Sequence, residues 1–188
     1  MATNMQTGPG KRWNKVRVVA WALALALWLT PLVAMQFTRE VNWEVGDFVL
    51  FAVMLLIPLG VYEIGTRLST NRSYRAGVGV AVVGGFLLVW SNLAVGIIGD
   101  GENLANLGFF GVLLVGMIGA LIAWFRPAGM ARALYATAAA NTALSLTCLV
   151  AGWDDRGATI SLFFILFWLL SAGLFRKAAR ETEAGPAA

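Results

Sequence analysis

Charge in this chain of 188 residues is confined almost entirely to the gaps between six long apolar runs, and the dominant sign alternates from gap to gap. Lys11, Arg12, Lys15 and Arg17 precede the first run, and Arg67, Arg72 and Arg75 separate the second from the third. Arg126 and Arg132 separate the fourth from the fifth, and Arg176, Lys177 and Arg180 follow the sixth, which accounts for twelve of the 14 Lys and Arg. The other gaps hold Arg39 and Arg156 together with Glu40, Glu44, Asp47, Asp100, Glu102, Asp154 and Asp155, seven of the ten carboxylates. Basic residues flanking membrane spans are retained on the cytoplasmic side. The pattern therefore predicts six crossings with both termini inside.

The uncharged stretches are residues 18–35, 48–62, 76–99, 104–125, 133–153 and 157–175, and a helix needs about 20 residues to cross roughly 30 Å of hydrocarbon. The second is short, and reaches spanning length by taking in Asp47 at its outer end and Glu63 and Gly65 at its inner end. The expected architecture is all-α: an integral membrane bundle of six transmembrane helices, arranged as three antiparallel hairpins, N-in/C-in, over residues 16–177. Short gaps leave no room for large elements outside the membrane. The polar, Gly/Pro/Ala-rich tails at 1–15 and 178–188 are expected to be disordered cytoplasmic segments. The basic stretch before the first run also resembles a signal peptide, but that run is longer than a signal core and Pro31 to Gln36 lacks a small-x-small cleavage site. It reads as a retained helix, and its removal would leave five spans facing the same sides.

Composition narrows the function classes. Hydrophobic residues make up 59% and charged residues 13%, against about 25% charged in soluble domains, and mean hydropathy is +0.74. The basic balance is explained by topology, so no nucleic-acid partner is expected; the bilayer itself is the first partner. Cys148 is the single cysteine and there is no histidine, which excludes an intrachain disulfide, histidine-ligated haem, histidine zinc sites and a histidine base. Gly96-Ile97-Ile98-Gly99-Asp100 has the wrong spacing for an intramembrane aspartyl protease, and Ser91 and Ser171 have no basic residue to activate them. No enzyme and no cofactor are expected.

Several polar residues remain to be explained. Glu63 is the one carboxylate inside an expected span, where an ionisable group is a functional candidate; Arg67, four residues on, is the expected structural partner, and Pro58 above it is placed to kink the span. Asn92 and Asn141 lie within the third and fifth spans and need hydrogen-bond partners there, either across a helix interface or at a midplane solute site with Glu63. Asp100, Glu102, Asp154 and Asp155 on the outer face are oxygen ligands of a type that suits Ca²⁺ or Mg²⁺, although no loop has calcium-binding spacing; Asp47, Asp100 and Asn103 are also placed to cap helices. Small residues four apart mark helix contacts: Gly77, Ala81 and Gly85, then Gly116 and Ala120, then Ala136 and Ala140. Trp21, Trp28, Trp90 and Trp168 lie deep and need packing or a partner for the indole N–H.

Met35-Gln36-Phe37-Thr38, Glu40-Val41, Trp43 and Asp47-Phe48, with Asn92 to Gly99, Asn106-Leu107 and Phe125-Arg126-Pro127, resemble an uncharacterised family of small multi-spanning bacterial inner-membrane proteins over about residues 35–180. The resemblance implies a bacterial origin and an inner-membrane location, and carries over no activity or site residue. The sequence thus points to a non-enzymatic membrane protein, foremost an accessory or assembly subunit acting through helix contacts with another membrane protein or with a second copy. The alternatives are a small-solute or ion carrier built on Glu63, Asn92 and Asn141, and an outer-face sensor of a cation or a partner.

Overall fold

The computed structural model describes residues 10–99 and 103–184, with side chains from Arg17 onward, and every regular element among them is an α-helix. The helices are α1 (Gly10–Ala34), α2 (Val45–Leu68), α3 (Arg72–Val95), α4 (Ala105–Ile122), α5 (Pro127–Val150) and α6 (Asp155–Glu183). All six are long and apolar enough to cross a membrane. α2 extends in both directions beyond its uncharged stretch, taking in Asp47 and Glu63, because a shorter helix would leave backbone groups unbonded in hydrocarbon. The termini differ from expectation. α1 begins at Gly10, inside the segment expected as a tail, and α6 continues to Glu183, since its last turns are held by side-chain bonds described below; residues 1–9 and 185–188 of the expected tails lie outside the described residues.

Local signals account for several helix ends. Asn71 caps α3 by accepting from the Tyr74 N–H at 2.9 Å, and Asp154 caps α6 by accepting from the Arg156 N–H at 3.0 Å. Asp47 lies two residues into α2 and its carboxylate reaches back to the Glu44 N–H at 2.8 Å, the return half of a capping box. The α4–α5 turn is sharper. Phe125 N–H reaches the Ala120 carbonyl at 3.2 Å while Trp124 and Phe125 both take left-handed φ, 49° and 57°, a conformation that glycine normally supplies at a helix end.

The chain forms two compact units, one ending at Glu63 and one beginning at Ile64. In the first, the Trp28 indole N–H donates to the Phe48 carbonyl at 2.9 Å, Trp28 meets the Phe48 ring edge-on, and Trp43 stands edge-on to Phe48 and Phe51. An Arg17–Glu63 ion pair joins α1 to α2.

In the second unit α5 packs most extensively on α6, α3 on α6 and α4 on α5, whereas the consecutive helices α3 and α4 touch much less. Glycines allow these approaches. A Cβ on Gly84 would come within 2.7 Å of Phe167, one on Gly77 within 3.0 Å of Phe175, and those on Gly116 and Gly119 within 2.9 Å of Thr137 and 2.7 Å of Ala133. Gly77 of the expected α3 stripe therefore meets α6, joined by Gly84, which the stripe did not include, while the α5 stripe is displaced: Ala136 is exposed and Ala133 and Thr137 are buried. One end of this unit is knit together by hydrogen bonds. Arg75 closes the end of α2 by donating to the Thr66 and Ser69 carbonyls at 2.7 and 2.6 Å, Tyr74 Oη donates to the Phe125 carbonyl at 2.9 Å, and Asn71 and Ser73 donate to Glu181 at 2.9 and 3.1 Å. The α2–α3 turn, the α4–α5 turn and the last turn of α6 therefore share that end, with Arg72, Arg75, Arg126 and Arg180.

Candidate functional site

At the opposite end, the α3–α4 connection is held by two buried amides. Asn92 Nδ2 donates to the Asn106 carbonyl at 2.7 Å. Asn106 Oδ1 accepts from the Ile97 and Ile98 N–H groups at 3.0 and 2.9 Å, and its Nδ2 returns a bond to the Ile98 carbonyl at 2.9 Å. One side chain thereby satisfies three groups of a buried loop that no helix could bond. Asn92 is spent on this arrangement.

The same connection meets the start of α6. Asp154 Oδ2 accepts from the Gly99 N–H at 2.9 Å while its Oδ1 caps α6. Hydrogen bonding from Gly99 foremost, then from the N–H groups of Gly157 and Arg156, holds the Asp154 carboxyl below its ordinary pKa, because each bond favours the charged form. Gly157 lies under the Ile97 carbonyl, where a Cβ would stand 1.9 Å from the oxygen. Asp155 is exposed in the first turn of α6, a favourable place for negative charge. Asp100 and Glu102 lie outside the described residues, and among the described residues no three His, Cys, Asp or Glu are grouped to hold a metal.

A second polar cluster lies between α5 and α6. Asn141, Ser145 and Ser161 are fully buried. Asn141 Nδ2 donates to the Ser161 carbonyl at 3.2 Å, Ser145 Oγ donates to the Asn141 carbonyl at 2.8 Å, and the two serine hydroxyls bond each other. Farther along α6, Ser171 Oγ donates to the Gly77 carbonyl of α3 at 2.7 Å. Among the described residues, Asn141 Oδ1 and the Trp168 indole N–H are buried without a hydrogen-bond partner. Asn92 and Asn141 thus belong to different networks, with no partner in common.

Glu63 pairs with Arg17, across from α1, rather than only with residues of its own helix; the Glu63 side chain is 16% exposed and that of Arg17 44%. Asn106, Ser161 and Gly157 were not singled out as site residues from sequence. The signal for Asn106 was present, a second amide at the mouth of an apolar run, but Gly157 had none, because its importance comes from a carbonyl sixty residues away in the chain. Comparison with protein-family models, with curated proteins and with solved structures finds no match to this chain.

Proposed function

We propose that this chain is a non-enzymatic, multi-pass protein of the bacterial cytoplasmic membrane, N-in and C-in, that works as a small accessory or assembly subunit by presenting helix surfaces to another membrane protein. The carrying observation is the use made of its intramembrane polar groups. Asn92, Asn106, Asn141, Ser145, Ser161 and Ser171 bond to one another or to backbone carbonyls in separate places, and Glu63 is engaged by Arg17. A carrier calls for such groups to converge on a cavity near the midplane; these brace helices and loops instead. The outward surface is rich in large apolar side chains on every helix, among them Leu23, Leu56, Leu93, Leu114, Leu146 and Leu166, as contact with lipid or another helix requires.

The carrier remains a second reading because of one observation, the unpartnered buried atoms of Asn141 and Trp168, which in a transporter would serve a passing solute. Purifying the chain from its native membrane in a polymer disc separates the two. Recovery of a stoichiometric membrane partner, with liposomes of the purified chain impermeable to ions and small solutes, supports the subunit reading. Recovery alone, with a flux abolished by Asn141→Leu, overturns it in favour of the carrier.

A further inference from the structure

The turn between α4 and α5 borders a half-open surface cavity of about 420 Å³ lined by Ile122, Ala123, Trp124, Gly129 and the exposed Arg126 and Arg132, among others. Two basic side chains near helix ends are committed within the protein, Arg75 to the Thr66 and Ser69 carbonyls and Arg17 to Glu63. The Arg126 and Arg132 guanidiniums have no hydrogen-bond or ion-pair partner among the described residues, yet both line this one cavity. Among the described residues, nothing acidic lines it.

The backbone adds donors of the same sign. Arg126 is the N-cap of α5 and no side chain caps that end. Pro127 has no N–H, and the first bond back into the helix is from Met130 N–H to the Arg126 carbonyl at 2.9 Å. The N–H groups of Ala128 and Gly129 precede it and have no intrahelical acceptor, and both residues line the cavity. Gly129 permits α5 to close on α4, since a Cβ there would meet Ala123 at 2.5 Å. The turn is built from two left-handed non-glycine residues, Trp124 and Phe125, each an unfavourable conformation that persists where surrounding structure enforces it. Here the Tyr74 hydroxyl on the Phe125 carbonyl is one such restraint. The result leaves the Trp124 ring 83% exposed beside the cavity, as an aromatic at headgroup level would be.

We propose that this cavity is a binding site for a phosphate group, held by the forked guanidiniums of Arg126 and Arg132 and by the first free N–H groups of α5. Arginine forks and helix N-termini are both matched to phosphate oxygens. Two sources carry that chemistry at this depth, the headgroup of an anionic phospholipid and free phosphate. The inference is independent of the subunit reading, because a carrier and a subunit would each keep such a site.

The test uses the full chain in detergent, exposed to equal amounts of phosphatidylglycerol and phosphatidylcholine of the same acyl length, with bound lipid counted by native mass spectrometry. The wild type is expected to retain the anionic lipid about tenfold over the zwitterionic one, the equivalent of one charge-assisted contact. Arg126→Gln/Arg132→Gln should lose that preference, while Arg176→Gln/Arg180→Gln, with the same loss of charge, should keep it; Arg132→Gln alone serves if the double variant fails to elute as a folded species. Preference retained in the cavity variants, or lost equally in the control pair, overturns the proposal. Inorganic phosphate that displaces the lipid from the wild type supports recognition of phosphate as such, and failure to displace supports the lipid as source. Binding of neither overturns it.

Discussion

Among the described glycines, Gly157 is the one at which an added Cβ would come closest to another atom. In Gly157→Ala that Cβ would stand 1.9 Å from the Ile97 carbonyl oxygen, 2.9 Å from the Ile97 carbonyl carbon and 2.7 Å from Asp154 Oδ2. Even the close C–H···O contacts between packed elements have carbon and oxygen about 3.3 Å apart, so the α3–α4 connection must retreat by roughly 1.4 Å. The contacts nearest the displacement are the Gly99–Asp154 bond and the Asn106 bonds to Ile97 and Ile98, all between 2.9 and 3.0 Å, and none survives such a shift unchanged. Overpacking of this kind costs about 1–3 kcal/mol. For a chain of this size that corresponds to an apparent melting temperature lower by roughly 3–10 °C. The assay is loss of the monodisperse elution peak after heating detergent-solubilised protein. Gly173→Ala is the control, because nothing lies within 4 Å of the position its Cβ would take, and it should leave the transition in place. Equal transitions for Gly157→Ala and Gly173→Ala would refute the close approach of Ile97 to the start of α6.

Asn106→Ala strips partners from two buried N–H groups, at about 1–3 kcal/mol for each group left unsatisfied, whereas Asn141→Leu removes one bond and an already unpartnered acceptor, so the first should melt well below the second in the same assay. Asp154 has a lowered folded pKa, so its contribution is whole above the ordinary value of 3.8 and is lost as pH falls through the folded value; the gap in melting temperature between wild type and Asp154→Asn should hold at neutral pH and close only in strong acid. A double-mutant cycle on Arg17→Gln and Glu63→Gln should give a coupling of up to about 1 kcal/mol, with the double variant less harmed than the two single losses added.

Much of the architecture was legible in the charge pattern, because charges are excluded from hydrocarbon and mark where each helix must end. Even the awkward second span followed, since Asp47 and Glu63 had to be enclosed to give it length. Helix faces were harder. α5 is so rich in alanine that several registers of small residues compete, and the stripe through Ala136 and Ala140 was one of them; Thr137 and Asn141, only 1% and 0% exposed, mark the true interior. Burial of Asn92 and Asn141 followed from the need of an amide for partners, but the partners did not, because Asn106 and Ser161 come from other helices. Glu63 has a local candidate in Arg67, and only the three-dimensional arrangement brings Arg17 to it. Asp154 reads from sequence as a cation ligand, and in the fold its two oxygens are bound to backbone N–H groups.

The claim that this chain acts through its lipid-facing helix surfaces is tested most directly by placing a photo-crosslinking amino acid at Leu23, Leu27, Leu114 and Leu166, which are 58%, 48%, 49% and 60% exposed, and at the fully buried Leu88, in cells that carry the native membrane. A discrete adduct to one membrane protein from at least one exposed position, and none from Leu88, is the predicted result. Adducts to lipid alone at all four exposed positions would contradict it.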